Sequence, residues 1–392
     1  MTRPARPASR SAKLAQVLLT ALLCGLFTAC GGDGFHNGVV VLTVHKATIT
    51  RGLWIANGTN VLEYIPSQLM VAGSSAAVPH LANNSGAFGA PQGVTFDAKG
   101  NLWVMDPEAM VNGQKTPALL EFSATQLAAL GTTAAPAPVA TVTSTGLNFP
   151  QQSVFDAQGN QWVADHNSNS VLVFTAAQLA MTGVNNLVPA VTITSASFNG
   201  PLGIAFDRNG DLWVANNGGV PVAGSTTGAM SAAGTTIVEF LAVHLPTPPA
   251  TGVLTPDLNP DVTLSDDGQN SIQAPWALVF DGRGHLLSSN ANPPSTIVDF
   301  SPAQLAATGA PVPVLIISPT KLGGIPTLDA PNGICFDNLE DLAVLNSAGA
   351  FGLALFSNNQ KVDGAFPPNT FIVGAATTLN APAGCNFGPL VN

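Results

Sequence analysis

One phrase recurs along this chain, and it constrains the fold more than any local helix or strand preference. Phe-Asp pairs stand at Phe96-Asp97, Phe155-Asp156, Phe206-Asp207, Phe280-Asp281 and Phe336-Asp337, and each phenylalanine has a proline five residues before it, at Pro91, Pro150, Pro201, Pro275 and Pro331. A turn follows and then a second apolar run, as in Gly100-Asn101-Leu102-Trp103-Val104. A third run ends at Phe122, Phe174, Phe240, Phe300 or Phe356, and a polar turn with Gln-Leu comes next at Gln126-Leu127, Gln178-Leu179 and Gln304-Leu305. A fourth β-rich piece closes the unit, as at 139–142, 191–193 and 312–317. Four short strands per unit, at spacings of 59, 51, 74 and 56 residues between phenylalanines, predict propeller blades.

The two ends set the count. Pro382 to Phe387 restarts the phrase 51 residues after Phe336, whereas residues 53–57 match a second strand and 61–64, with Gln68-Leu69, a third strand and its turn. Neither fragment is a blade by itself. Joined, with the C-terminal strand innermost, they make a sixth blade and close the ring, which removes the free edges of an open sheet. Residues 39–44 also read as a strand, which the repeat does not place; an extra edge strand is one reading of it. Composition agrees with one large all-β domain: 46% of residues are hydrophobic, only 9% are charged, and turn formers are abundant, with Gly 39 and Pro 31.

The run from Gly93 to Asp106, Gly-Val-x-Phe-Asp-x-x-Gly-Asn-Leu-Trp-Val-x-Asp, resembles the NHL repeat and the related gluconolactonase-type propellers. The resemblance covers nearly all of residues 51–389 and implies an all-β, six-bladed β-propeller with four-stranded blades, closed by the C-terminal strand. Such propellers include hydrolases, lyases and pure binding modules, so fold alone names no activity. The Gly-His to Trp-Asp pattern of WD40 repeats and the paired glycines of kelch blades are missing.

The first thirty residues read as an address. Arg3, Arg6, Arg10 and Lys13 precede an apolar run from Leu14 to Thr28, too short to span a bilayer and of secretory-signal size. Leu26-Phe27-Thr28-Ala29-Cys30-Gly31 resembles the bacterial lipoprotein signal, in which the cysteine is lipidated and becomes the new N-terminus. Gly31 in place of Asp implies the outer membrane. The expected organisation is a signal over 1–29, a tether and edge strand over 30–50, and the propeller over 51–392. Beyond residue 29 the chain has 8 basic against 22 acidic residues, which argues against a nucleic-acid partner and leaves neutral or cationic ones.

Residues needed once per blade build the blade. Trp54, Trp103, Trp162 and Trp213 share one second-strand position and are expected to pack between blades, and the aspartates after phenylalanine are expected to cap turns. Those aspartates lack the closely alternating carboxylates of a calcium loop. The second strands end in Asn57, Asp106, Asp165, Asn216, Asn290 and Asn346, and this ring either ties its own loops or contacts a ligand at the mouth. The residue after each proline varies: Gln92, Gln151, Leu202, Trp276, Asn332 and Ala383. The gluconolactonase resemblance implies a metal there, held by acidic and amide side chains. Only Pro331-Asn332-Gly333 matches that family's phrase, and Leu202, Trp276 and Ala383 supply no oxygen, so no metal or other cofactor is expected. Gln92, Gln151, Trp276 and Asn332 instead suggest a mixed polar and apolar pocket.

The longest variable loops, 107–117 and 217–236, are expected to be mobile or to recognise a partner. His166 beside Asp165 is the one histidine at a blade mouth, and the lyase-type propellers use a histidine with a cation. Cys335 and Cys385 lie in first strands of neighbouring blades with opposite side-chain parity. They are either a disulfide or two buried thiols. The expected function is a monomeric, metal-independent binding module that takes a protein or small ligand at the mouth. The alternative is a lactonase or lyase with a cation in the channel, using His166, Asp165, Asp106 and Asn332.

Overall fold

The computed structural model describes residues 49–75, 77, 79–130, 135–220 and 230–390. The signal over 1–29, Cys30 and the strand expected at 39–44 lie outside the described residues. Six antiparallel, four-stranded blades form the ring the repeat predicts. In blade 2 the strands, from the axis outward, are Gly93–Phe96, Leu102–Val111, Gln114–Phe122 and Ala140–Thr143. Blades 3 to 6 begin with Pro150–Phe155, Pro201–Phe206, Pro275–Phe280 and Pro331–Phe336. Blade 1 takes its inner strand, Pro382–Gly388, from the C-terminus and pairs it with Gly52–Asn57, Leu53 facing Phe387 and Ile55 facing Cys385.

Two aromatic positions hold successive blades together. Trp54, Trp103, Trp162 and Trp213 are buried, and each meets, edge to face, the first-strand phenylalanine of the next blade: Phe96 at 5.9 Å, Phe155 at 6.3 Å, Phe206 at 5.5 Å and Phe280 at 6.2 Å. A tryptophan is large enough to bridge the gap between two radial sheets, and this ring geometry adds attraction beyond the buried area. Leu287 and Ala343 hold the equivalent positions in blades 5 and 6. At the small Ala343 a cross-link takes over. Cys335, its partner in register, is disulfide-bonded to Cys385 of blade 1, with Cα atoms 6.1 Å apart. Face-packed sheets stand about 10 Å apart, but inner strands converge on the axis, which brings these two within bonding reach.

The Gln-Leu turns prove to be single helical turns, such as Ala124–Ala128 and Ala176–Leu179. Ser123 accepts from the Gln126 N–H and donates its own N–H to the Gln126 side chain, a reciprocal cap, while Leu127 is buried beneath it. After the turn, the chain reaches back to the outer strand of the preceding blade. Gly183–Asn186 of blade 3 pairs in parallel with Ala140–Thr143 of blade 2, and Gly73–Ser75 of blade 1 pairs likewise with Thr370–Val373 of blade 6. These additions cover edges that would otherwise template foreign strands.

One of the two long loops is a hairpin. Residues 107–117 extend the two strands that flank them, with Ala109 opposite Thr116 and Val111 opposite Gln114. Asn112 and Gly113 turn the corner with φ of 51° and 78°, the Asn-Gly hairpin turn that matches strand twist. Of the loop expected at 217–236, residues 221–229 lie outside the described residues.

Candidate functional site

Register fixes which residues share the mouth. Pro150 pairs with Asp165, Pro201 with Asn216, Pro275 with Asn290, Pro331 with Asn346 and Pro382 with Asn57. The Asn/Asp ring and the residues after the prolines therefore lie at one end of the propeller, as the strand order predicts.

All six ring side chains are buried, and each is bonded to the loop that enters its own blade. Asp165 accepts from Asn148 N at 2.8 Å, Phe149 N at 3.0 Å and Ser168 N at 3.2 Å. Asp106 accepts from Gly89 N at 2.8 Å and from Ala90 N and Glu108 N at 2.9 Å. The four asparagines accept only one N–H from that loop and give their amide to a carbonyl two residues earlier. Asn216 bonds Asn199 N and Ser197 O, Asn290 bonds Gln273 N and Ser271 O, Asn346 bonds Asp329 N and Thr327 O, and Asn57 bonds Asn380 N and Thr378 O. Burial raises the Asp106 carboxyl above its ordinary range, against the opposing pull of its three N–H partners.

His166 acts as a strut between blades 3 and 4. Its Nε2 donates to the Gly218 carbonyl at 2.8 Å, its Nδ1 lies 2.9 Å from Asn167 Oδ1, and Phe149 packs edge-on against the ring. Gly200 makes room for it: its φ is +69°, and a Cβ there would stand 2.6 Å from the Gly218 oxygen. The structure thus gives Asp106, Asp165 and His166 separate hydrogen-bond partners.

Along the axis runs a cavity of about 390 Å³, walled by all six inner strands, within the usual range for small-ligand sites. Each inner strand pairs only on its outer side, so its other edge presents backbone N–H and C=O groups to the axis. The side chains lining the cavity include Val94, Ile204, Leu278, Gln152 and Asn386, and none is charged. At the proline end, Gln92 donates to its own loop through Ala90 O at 3.1 Å. The side chains of Gln151 and Asn332, buried on opposite blades of the ring, have no hydrogen-bond partner among the described residues. Trp276 is half-buried, Leu202 and Ala383 are buried, and the six positions make a rim that is half polar and half apolar.

At the opposite end the Phe-Asp aspartates cap their turns. Asp97 Oδ1 accepts from Lys99 N and Asn101 N, both at 2.9 Å, and Asp156, Asp207, Asp281 and Asp337 repeat the pattern. Sequence reasoning missed one feature here. Asp207, Asp211 and Glu239 place a carboxylate oxygen each within 4.8 Å of the others, the one such trio of His, Cys, Asp or Glu among the described residues. Burial and the neighbouring Asp211, Asp207 and Asp261 push the Glu239 carboxyl up to about 7. Its signal lay in the repeat alignment, where blade 4 alone combines an aspartate four residues after Phe-Asp with a third-strand glutamate.

Among the described residues no helix is long and apolar enough to cross a membrane. No protein-family model matches the chain, and no curated protein matches it. Solved structures do share its fold. A protein of unknown function from Bacteroides caccae is 8% identical, with a TM-score of 0.53 over 86% of this chain and 99% of that one. A periplasmic gluconolactonase from Pseudomonas aeruginosa is 12% identical, with a TM-score of 0.51 over 87% and 99%. The chain is a six-bladed β-propeller similar in fold to that gluconolactonase.

Proposed function

We propose that this propeller is a binding module for an uncharged, hydroxyl-rich small molecule that enters the axial channel from the proline end. One observation carries the reading: an axial cavity of about 390 Å³ is walled by six unpaired strand edges and no charged side chain. Backbone edges offer alternating donors and acceptors, which suit hydroxyl groups, and nothing there offsets the desolvation of an ionised ligand. Gln151 and Asn332 then orient the ligand at the rim, with Trp276 as an apolar face. Neither a metal nor a cofactor enters this reading, and the propeller acts as a monomer.

Calorimetric titration with a six-carbon sugar lactone, neutral disaccharides and the ring-opened sugar acid tests it. A neutral probe is expected to bind, the acid to bind at least tenfold more weakly, and the Gln151→Ala/Asn332→Ala variant to lose about tenfold in affinity. Preference for the acid, or no heat from any neutral probe at 10-millimolar order, overturns it. A lactonase or lyase is the second reading, favoured by the fold shared with the Pseudomonas gluconolactonase. Turnover of the lactone, abolished by His166→Gln at unchanged melting temperature, would establish it.

The same proposal places the protein in the cell envelope, anchored to the outer membrane through lipid on Cys30. Acyl chains on one cysteine bind firmly because each buried CH₂ contributes about 0.8 kcal/mol. Wild-type protein is expected in the membrane fraction with the mass of a lipidated chain starting at Cys30. Cys30→Ser is expected in the soluble envelope fraction, and an unlipidated wild-type mass would end the idea.

A further inference from the structure

The repeat shows what the cluster in blade 4 lacks. In blade 2 the side chain four residues after Phe-Asp is Asn101, whose amide donates to Asp97 and to Glu121, both at 2.9 Å. In blade 5 the same position is His285, which holds Asp299 at 2.8 Å. Both blades put a donor beside their carboxylates. Blade 4 puts Asp211 there, beside Asp207 and Glu239, so three carboxylates meet and no donor side chain reaches Asp211 or Glu239 among the described residues.

The oxygens are not equally occupied. Asp207 Oδ1 takes two N–H groups of its own turn, and its Oδ2 accepts from Asn209 at 3.2 Å. Asp211 Oδ1 takes Ala242 N at 2.7 Å. Glu239 is 6% exposed, and neither of its oxygens has a hydrogen-bond partner among the described residues. It borders a cleft of about 550 Å³ between blades 4 and 5, together with Asp207, Asn209 and the buried Trp213. The nearby cations are engaged elsewhere: Arg208 donates to Gly282 O, Arg283 pairs with Asp281, and His244 pairs with Asp261.

We infer that Asp207, Asp211 and Glu239 bind a divalent cation of the calcium type, with water from the cleft completing its shell. Calcium takes six to eight oxygens at about 2.3–2.6 Å, so two oxygens on one ion are at most about 5 Å apart, which the 4.8 Å limit on this trio satisfies. Carboxylates from a turn and an adjacent strand, open to water on one side, make an irregular cage. That geometry suits calcium better than magnesium, which demands a tight octahedron. The site lies at the opposite end of the propeller from the proposed ligand mouth, so either reading can fail without the other.

The test is titration of the purified full-length chain with calcium and with magnesium in chelator-treated buffer, followed by calorimetry and thermal melting. Calcium is expected to bind once per chain with a dissociation constant on the order of 0.1–1 mM, as in extracellular calcium modules. It should raise the melting temperature by about 2–4 °C at tenfold excess, through mass action on the folded state. Asp211→Asn rebuilds the Asp-Asn-Glu arrangement of blade 2. It should fold, melt above the wild type without calcium, and lose the calcium response. No calcium response in the wild type, an equal response to magnesium, or a response that survives Asp211→Asn each overturns the inference.

Discussion

A chain that ends after Ala381 is expected to show no cooperative unfolding transition and to collect in the insoluble fraction. The missing segment supplies Pro382–Gly388, the inner strand of blade 1, so Gly52–Asn57 loses its whole inner ladder and keeps only the outer one with Asn60–Tyr64. Leu53, Ile55 and Trp54 are fully buried in the closed ring and would line an open seam. Blades 2 and 6 would lose their neighbour, and the ring would become an open stack with two long apolar faces and bare edges, the state that aggregates. The Cys335→Ala/Cys385→Ala chain keeps the strand and loses only the cross-link. A bridge with a sequence separation of 50 restricts the unfolded chain by about 4 kcal/mol in the loop-entropy account. That variant should still melt cooperatively, roughly 5 °C lower for a chain of this size. Circular dichroism melts of both chains separate the contributions. A truncated chain that melts cooperatively near the wild type would mean that the ring does not need its last strand.

The repeat was legible because the propeller asks the same thing of every blade. Proline starts the inner strand, phenylalanine and tryptophan fill the gap to the neighbour, and aspartate folds the turn between them, so physical necessity recurs at fixed offsets. The closing strand was legible for the same reason, since a lone Pro382 to Phe387 phrase needs the second and third strands that residues 53–64 provide. The Asn112-Gly113 hairpin was equally visible, yet the length of the 107–117 segment suggested a loop; the pairing of Met110 with Lys115 shows that the two-residue turn governed.

The sites were harder to read, and the reason is spatial. Glu239 lies 28 positions beyond Asp211, separated by the long blade 4 loop, and only sheet pairing brings them together. Cys335 and Cys385 had the right parity, but their separation depended on how sharply inner strands converge, which no linear pattern encodes. At the mouth, a line of text does not show that a loop has already used a side chain. The departures from the repeat therefore carry more functional information than the repeat: Asp211 beside Glu239 where blades 2 and 5 place Asn101 and His285, Ala343 where four blades place tryptophan, and Gln151 and Asn332 on opposite blades at the rim.

The same logic predicts what the two ring aspartates do. Asp165→Asn should cost about 2 kcal/mol and Asp165→Ala about 4 kcal/mol, because each buried N–H left without an acceptor costs roughly 1–3 kcal/mol. The choice between Asp and Asn follows the loop. In blades 2 and 3 the loop presents two consecutive N–H groups, Gly89 with Ala90 and Asn148 with Phe149, and only a carboxylate can accept both on separate oxygens. In blades 4, 5, 6 and 1 the residue before the proline, Gly200, Ala274, Ala330 or Ala381, has a positive φ of 69°, 47°, 46° or 54°. That twist turns the N–H away from the ring: Gly200 N goes to Asn169 and Ala330 N to Ser295 of the preceding blades. A carbonyl then faces the ring instead, and an amide satisfies one donor and one acceptor. The reverse exchange, Asn216→Asp, should accordingly cost at least as much, since it aims a carboxylate at the Ser197 carbonyl in a fully buried position. Urea unfolding of the three variants measures these differences directly. If Asp165→Asn leaves stability unchanged while removing ligand affinity or turnover, Asp165 belongs to the working site, and the loop-tying account of the ring is wrong.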